Sequence, residues 1–208
     1  MTQQSSTQVT LKRVRLAFVK VNKPEEFTVG DGKLRYSVSI LMEKGGDNQQ
    51  LLTGAIRAAA IGKWGDKAAD ELKRLKLQSR LCMYDGDSKE YVGFEGMTAA
   101  NASCSADKPP TLVTRGRQRL VNAEQSQIYS GCWANVIVNT WAQEHPTFGK
   151  RINAELKGIQ FVEDDVRLGG ATVASIDDFE ALEDVDDNSG FGDETAATSS
   201  TEFDDDLV

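Results

Sequence analysis

Histidine occurs once, cysteine three times and proline four times in 208 residues. A single imidazole, His145 beside Pro146 in a turn-like stretch, leaves no material for a histidine-rich metal centre or a nucleophile–histidine triad. Cys82, Cys104 and Cys132 lie 22 and 28 residues apart, too far for the tight pairs of zinc or redox sites. Their odd number also argues against a disulfide framework. They read as reduced thiols serving as small core hydrophobes. No apolar run approaches the ~20 residues that span a bilayer. The stretch Met1–Gln8 is polar and uncharged, with neither the basic nor the apolar region of a secretory signal. The expectation is a soluble, intracellular protein. Phosphate-binding Gly-Lys-Ser/Thr, Gly-x-Ser-x-Gly and His-Glu-x-x-His patterns are all missing. Asp164-Asp165 and Asp177-Asp178 would need a rigid frame to hold Mg²⁺ and fall where little can fold. Asp85-Gly86-Asp87 lacks the later ligands of a calcium loop and reads as a turn. The expectation is no enzyme activity, no cofactor and no metal.

What the chain does have is charge, split between its ends. Residues 1–162 carry 23 Lys and Arg against 16 Asp and Glu, whereas residues 163–208 carry one Arg against 16 acids. The whole-chain net charge of −8 hides a body of +7. A basic body points to a polyanion ligand. An acidic tail points to a competitor for the same surface or a hook for basic partners.

The body alternates in a β manner for much of its length. Residues 9–21 form a long strand with Lys12, Arg13, Arg15 and Lys20 on it, but the phase is broken: Val14, Leu16 and Phe18 suit one face, and Val9, Leu11, Val19 and Val21 the other. A bulge or barrel bend reconciles them. In 33–42, Leu34, Tyr36, Val38, Ile40 and Met42 alternate with Lys33, Arg35, Ser37 and Ser39. From 47 to 77 the period becomes helical, with Asp47 or Asn48 as cap, Gly62 and Gly65 as interruptions, and a second stripe of Ala69, Leu72, Leu75 and Leu77. Residues 80–104 read as β around a turn at Asp85–Asp87. A long irregular basic loop over 105–127 holds Arg115, Arg117 and Arg119. Strands follow at 128–142 and 151–162, with Lys150 and Arg151 between them. The fold class is mainly β: a five-stranded Greek-key barrel of the oligonucleotide/oligosaccharide-binding (OB) type with inserted helices. The expected division is a flexible 1–8, an OB-fold domain over 9–165, and a disordered acidic tail over 166–208.

One strand carries the strongest functional signal. Over 129–141, Cys132, Ala134, Val136 and Val138 form a small apolar face. Tyr129, Gly131, Trp133, Asn135, Ile137, Asn139 and Trp141 form the other. Tryptophans alternating with amides on a solvent face suit stacking on nucleobases, which contributes roughly 1–3 kcal/mol per base and tolerates any sequence. A helix or second subunit covering the rings, or the inverse face assignment, are the alternatives. With Lys12, Arg13, Arg15, Lys33, Arg35, Arg115, Arg117, Arg119, Lys150 and Arg151, the rings compose a candidate groove that tracks phosphates. Trp64 reads as packing between helices.

The run Ile128-Tyr129-Ser130-Gly131-Cys132-Trp133-Ala134-Asn135, with Gly158-Ile159-Gln160-Phe161-Val162-Glu163-Asp164-Asp165 and Leu168-Gly169-Gly170, resembles a phage family of single-stranded-DNA-binding proteins. The resemblance covers roughly residues 8–170. It implies an OB fold, sequence-tolerant binding of single-stranded DNA and a role in phage replication or recombination in the cytoplasm of the bacterial host. The acidic end resembles tails that recruit DNA polymerase, helicase or primase and compete with DNA. Here Phe203, Asp204, Asp205 and Asp206 would be its partner-binding part, although the chain ends Leu207-Val208 rather than in an aromatic residue. Weaker duplex binding and a homodimer are compatible with this reading. Its rivals are a strand-annealing or recombination-mediator protein and a module that binds protein rather than nucleic acid.

Overall fold

The computed structural model describes residues 6–26, 32–121 and 127–169. The chain divides into two units, 1–171 and 172–208. The second lies wholly outside the described residues. The first contains β1 (Gln8–Glu26), β2 (Leu34–Glu43), α1 (Asp47–Trp64), α2 (Ala68–Leu77), β3 (Met83–Asp85), β4 (Met97–Ser105), β5 (Thr111–Val113), β6 (Trp133–His145) and β7 (Gly149–Glu163).

Five of these strands close on themselves. β1 pairs antiparallel with β2 and β6, β2 with β4, and β6 with β7; a parallel contact between Ser103 of β4 and Glu155 of β7 completes the ring. This is the OB barrel, but its helices sit between its second and third barrel strands, β2 and β4. Of the expected apolar faces, Leu11, Val14, Leu16, Val38, Ile40, Met42, Cys132, Ala134, Val136 and Val138 are buried, and the structure adds Ile152, Leu156 and Ile159 of β7 to the core. Full burial of a side chain such as Leu or Ile is worth roughly 1.5–3 kcal/mol.

The broken phase of β1 has a physical cause. The strand shifts register between Leu11 and Val14 and again between Ala17 and Lys20. Arg13 (φ 46°) and Phe18 (φ 47°) occupy these breaks. Each bulge turns the strand by one residue, so Leu11, Val14, Leu16 and Val21 all point inward despite their mixed parity. Among the apolar residues of β1 named from the sequence, Phe18 alone is exposed.

Several local expectations are corrected. Helix α1 runs straight through Gly62 and stops at Gly65, whose φ of 55° suits a glycine and whose N–H bonds Ile61 O. Its cap is Gly46, without a side-chain cap bond. Asn48 instead accepts from Lys12 N (2.9 Å), while Gln49 reaches back to Gly45 N (2.6 Å). In α2, Ala68 and Leu75 are buried, whereas Ala69 and Leu77 are exposed. The 105–127 stretch is not one irregular loop: β5 pairs parallel with β7, and Val113 bridges to Arg119 across a turn. The strand expected from 128 begins at Trp133, because 128–132 form a turn in which Gly131 takes a φ of 118°. At the N-terminus, Thr7 O accepts from Thr140 N at 2.8 Å, so the chain is already seated before β1 opens at Gln8. Residues 166–169 belong to the described structure, beyond the expected domain end at 165. Residues 1–5 and 170–208 lie outside the described residues.

The turn Asp85-Gly86-Asp87 is closed by a lysine. Lys44 Nζ lies 2.7 Å from Asp85 and also bonds Asp87. Lys44 holds both carboxyls below their usual range, with backbone N–H donation helping. Gly86 has no alternative there, since a Cβ would lie 2.4 Å from Phe94 O.

Candidate nucleic-acid interface

Strand β6 alternates as the sequence predicts from Trp133 onward. Ala134, Val136, Val138 and Thr140 face the core; Trp133, Asn135, Ile137, Asn139 and Trp141 face out. Pairing with β1 sets Arg15 opposite Trp133. The Arg13 bulge is pinned by its own N–H, which donates to Asn135 Oδ1 at 2.9 Å. It places the Arg13 guanidinium 5.3 Å from the Trp133 ring centroid, a cation–π distance. Two arginines and an indole therefore share one patch.

Tyr129 joins them by a different route from the one its parity predicts. It sits in the turn before β6, packs partly into the core and sends its hydroxyl to Asp164 Oδ1 at 3.0 Å. Burial pushes its phenol up from the usual value, and the neighbouring Asp164 adds to this. Arg167 lies 4.2 Å over its ring.

A short acidic strap covers this patch. As the chain leaves β7, Glu163 pairs with Arg13 (2.6 Å) and Asp165 with Arg15 (3.4 Å). The Trp133 Nε1–H donates to Asp165 Oδ2 at 2.8 Å, and Arg15 donates to Val166 O at 2.9 Å. The Val166 N–H, then Trp133 and Arg15, hold the Asp165 carboxyl below its usual range. Leu168 N–H closes the strap on Ser130 O at 2.9 Å. Gly131 makes room: a Cβ there would lie 2.3 Å from Val166 O. Carboxylates thus sit where two arginines and an indole N–H offer positive charge and donors.

A model of the single-stranded-DNA-binding protein family of Enterobacter phage Enc34 matches residues 7–189. The chain belongs to that family. It is 31% identical over 177 residues to a protein designated p50 from Acyrthosiphon pisum secondary endosymbiont phage 1, covering 84% of this chain and 93% of p50. Its fold is similar to that of the Enc34 single-stranded-DNA-binding protein solved in complex with single-stranded DNA, with a TM-score of 0.66 and 27% identity over 78% of this chain and 90% of that one. A single-stranded-DNA-binding protein of bacteriophage T7, gp2.5, shares the fold at a TM-score of 0.54 and 14% identity, over 89% and 98% of the two chains.

On this family barrel the remaining candidate residues are dispersed. Trp141 lies eight residues beyond Trp133 on the same face, at most about 27 Å along the strand at roughly 3.4 Å per residue. It is 44% exposed and pairs across to Asn153, near Arg151. Lys150 is turned away. It pairs with Glu71 (2.8 Å) and approaches Glu144 (3.9 Å) and the Trp64 ring (5.5 Å), tying the β6–β7 hairpin to α1 and α2. Trp64 Nε1 donates to the same Glu144 at 3.2 Å, so this ring fastens the helices to the hairpin. Lys12 borders α1 through its backbone. Arg35, on β2, pairs with Glu25 of β1 and Ser105 of β4 in register, and Lys33 lies just before β2. Arg115, Arg117 and Arg119 sit in and beside the turn after β5, with Arg115 O accepting from Gln160 Nε2 at 3.1 Å. Phe203, Asp204, Asp205 and Asp206 lie outside the described residues.

Sequence reasoning missed two features of this surface. Residues 166–168 of the strap read as the first residues of a tail because the contacts that seat them, with Arg15 and Ser130, join positions far apart in sequence. Phe18 reads as a core residue because the bulge beside it cannot be located from parity alone.

Proposed function

We propose that this protein binds single-stranded DNA with little regard to sequence and covers it during phage replication and recombination, in the cytoplasm of the bacterial host. The observation that carries this reading is the grouping of Arg13, Arg15 and Trp133 on the outside of the barrel, in a family of single-stranded-DNA binders. Guanidinium groups take phosphates and the ring takes a base, so no base edge needs to be read. Duplex DNA would bind more weakly, because its stacked bases offer no free face. The role is binding, not catalysis.

The strap and the tail extend the reading. Glu163 and Asp165 already engage the two arginines, so DNA phosphates and the chain's own carboxylates compete for the same donors. The tail beyond, carrying most of the 16 acids of residues 163–208, adds to that competition and recruits replication proteins such as a polymerase, helicase or primase.

Fluorescence anisotropy of labelled oligo-dT against a salt series tests the proposal. Affinity should fall with a slope of about −0.7 in log K per phosphate contact. Binding that ignores salt, or that prefers duplex, would overturn it.

A further inference from the structure

Phe18, like Arg13, holds a left-handed backbone conformation in the barrel wall. A bulky side chain rarely adopts a φ near its 47°, yet here the backbone is held there and the ring is 50% exposed. Backbone strain of this kind is kept where the surroundings demand it and gathers at working sites. The surroundings here are aromatic. Tyr91, 45% exposed, meets Phe18 edge-on at 5.0 Å, and buried Phe94 lies beneath both at 5.8 and 5.4 Å. Phe94 packs with Ala17, Leu41 and Ala99, the outward residues of β1, β2 and β4. The cluster therefore stands on the outer wall of the barrel rather than in its core.

Its neighbours suit a nucleobase. Ser39 Oγ donates to Asn101 Oδ1 at 2.8 Å and the Tyr84 hydroxyl to the same atom at 3.4 Å, which leaves the Asn101 amide N–H groups as donors. Lys20 lies two residues along β1. Acids are present as well: Glu25 pairs with Lys20, and Glu95 accepts from Gly93 N.

The cluster is also continuous with the Trp133 patch. Arg15, opposite Trp133, is three residues from Phe18. The strap joins the two: Asp165 bonds Trp133, and Leu168 packs onto the Phe94 cluster. Three residues span at most about 11 Å, against the eight residues from Trp133 to Trp141.

We propose that Phe18 and Tyr91 form a second base-stacking subsite for single-stranded DNA, so that the strand runs from Trp133 past Arg15 onto this ring pair. The inference rests on the single-stranded-DNA reading above. The β1 bulges at Arg13 and Phe18 then have one purpose: the first aims an arginine at the strand, and the second aims a ring.

The test uses the full chain and labelled oligo-dT. Phe18→Ala and Tyr91→Ala should each weaken binding by roughly 5- to 150-fold, the range for loss of one stacked base, while Phe18→Trp retains it. Thermal melting checks that the variants fold. Photocross-linking of wild-type protein to an oligonucleotide carrying 5-iododeoxyuridine, followed by peptide mapping, should yield adducts at Phe18 or Tyr91 and needs no variant to fold. Wild-type affinity in both alanine variants, or adducts confined to other peptides, overturns the subsite while leaving the general reading intact. A wild-type protein that ignores oligo-dT overturns the general reading first. Light scattering that shows a dimer broken by Phe18→Ala would assign the rings to a second copy and overturn the subsite too.

Discussion

The indole N–H of Trp133 donates to Asp165 at 2.8 Å, and the same carboxylate lies 3.4 Å from Arg15. An aromatic ring and a cation that suit a DNA strand are thus engaged by the chain's own acid. Both partners of the contact are in place because Gly131 lets the strap pass over the turn before β6.

Asp165→Asn should loosen this arrangement without disturbing the barrel. Oligo-dT affinity should rise severalfold at low salt, and the gain should shrink at high salt, where exposed charges are screened. Trp133 emission should shift to longer wavelength as its donor is released. Lower affinity would mean that the strap helps to build the site. Acid should mimic the substitution. The Asp165 carboxyl is held below its usual 3.8. Its contribution is therefore complete above that pH and is lost only as pH falls through the depressed value. The emission shift should begin below about pH 3.8 and be absent between pH 5 and 8.

Gly131→Ala attacks the strap from beneath. The new Cβ would lie 2.3 Å from Val166 O and 2.9 Å from Arg167 Cα, at a φ of 118° that side chains rarely adopt. The variant should lose the Trp133–Asp165 contact and lower the melting temperature by several degrees, corresponding to about 1–3 kcal/mol. An unchanged melting curve would show that the backbone there has more room than the structure gives it.

The cysteines give a check on the core. Cys82, Cys104 and Cys132 are all free and buried. Burial pushes the Cys82 thiol up to about 12 and Cys104 to about 11, and raises Cys132 as well. Because the thiolate is the reactive form, a colorimetric thiol reagent at pH 8 should react slowly with the native protein and take up three equivalents in denaturant. Fast labelling of native protein would contradict the packing.

Much of the barrel was legible because alternation is a local signal. Val38 to Met42 and Ala134 to Val138 read directly as strand faces, since the inward residues keep their parity, whereas Leu34, expected on the same inward face, is exposed. In β1 the parity breaks, and the break was readable as a bulge, although neither its position at Arg13 nor that at Phe18 was. The pairing of Arg13 and Arg15 with Trp133 was readable only as residue types, because strand register decides which residues meet. Strand parity groups Tyr129 with Trp133, but Tyr129 reaches the patch from the turn before β6. Charge alone puts Lys150 in the groove, whereas the Glu71 carboxylate, 79 residues away in sequence, holds it beside the helices.

The central claim is that single-stranded DNA binds across Trp133, Arg13 and Arg15. Its most direct test compares Trp133→Ala with Trp141→Ala, titrating each with a short and a longer labelled oligo-dT at fixed salt. Trp133→Ala should weaken both by roughly 5- to 150-fold with the barrel intact by circular dichroism. Trp141→Ala, at most about 27 Å away along β6, should affect only the longer strand. Wild-type affinity of Trp133→Ala for both oligonucleotides would contradict the account.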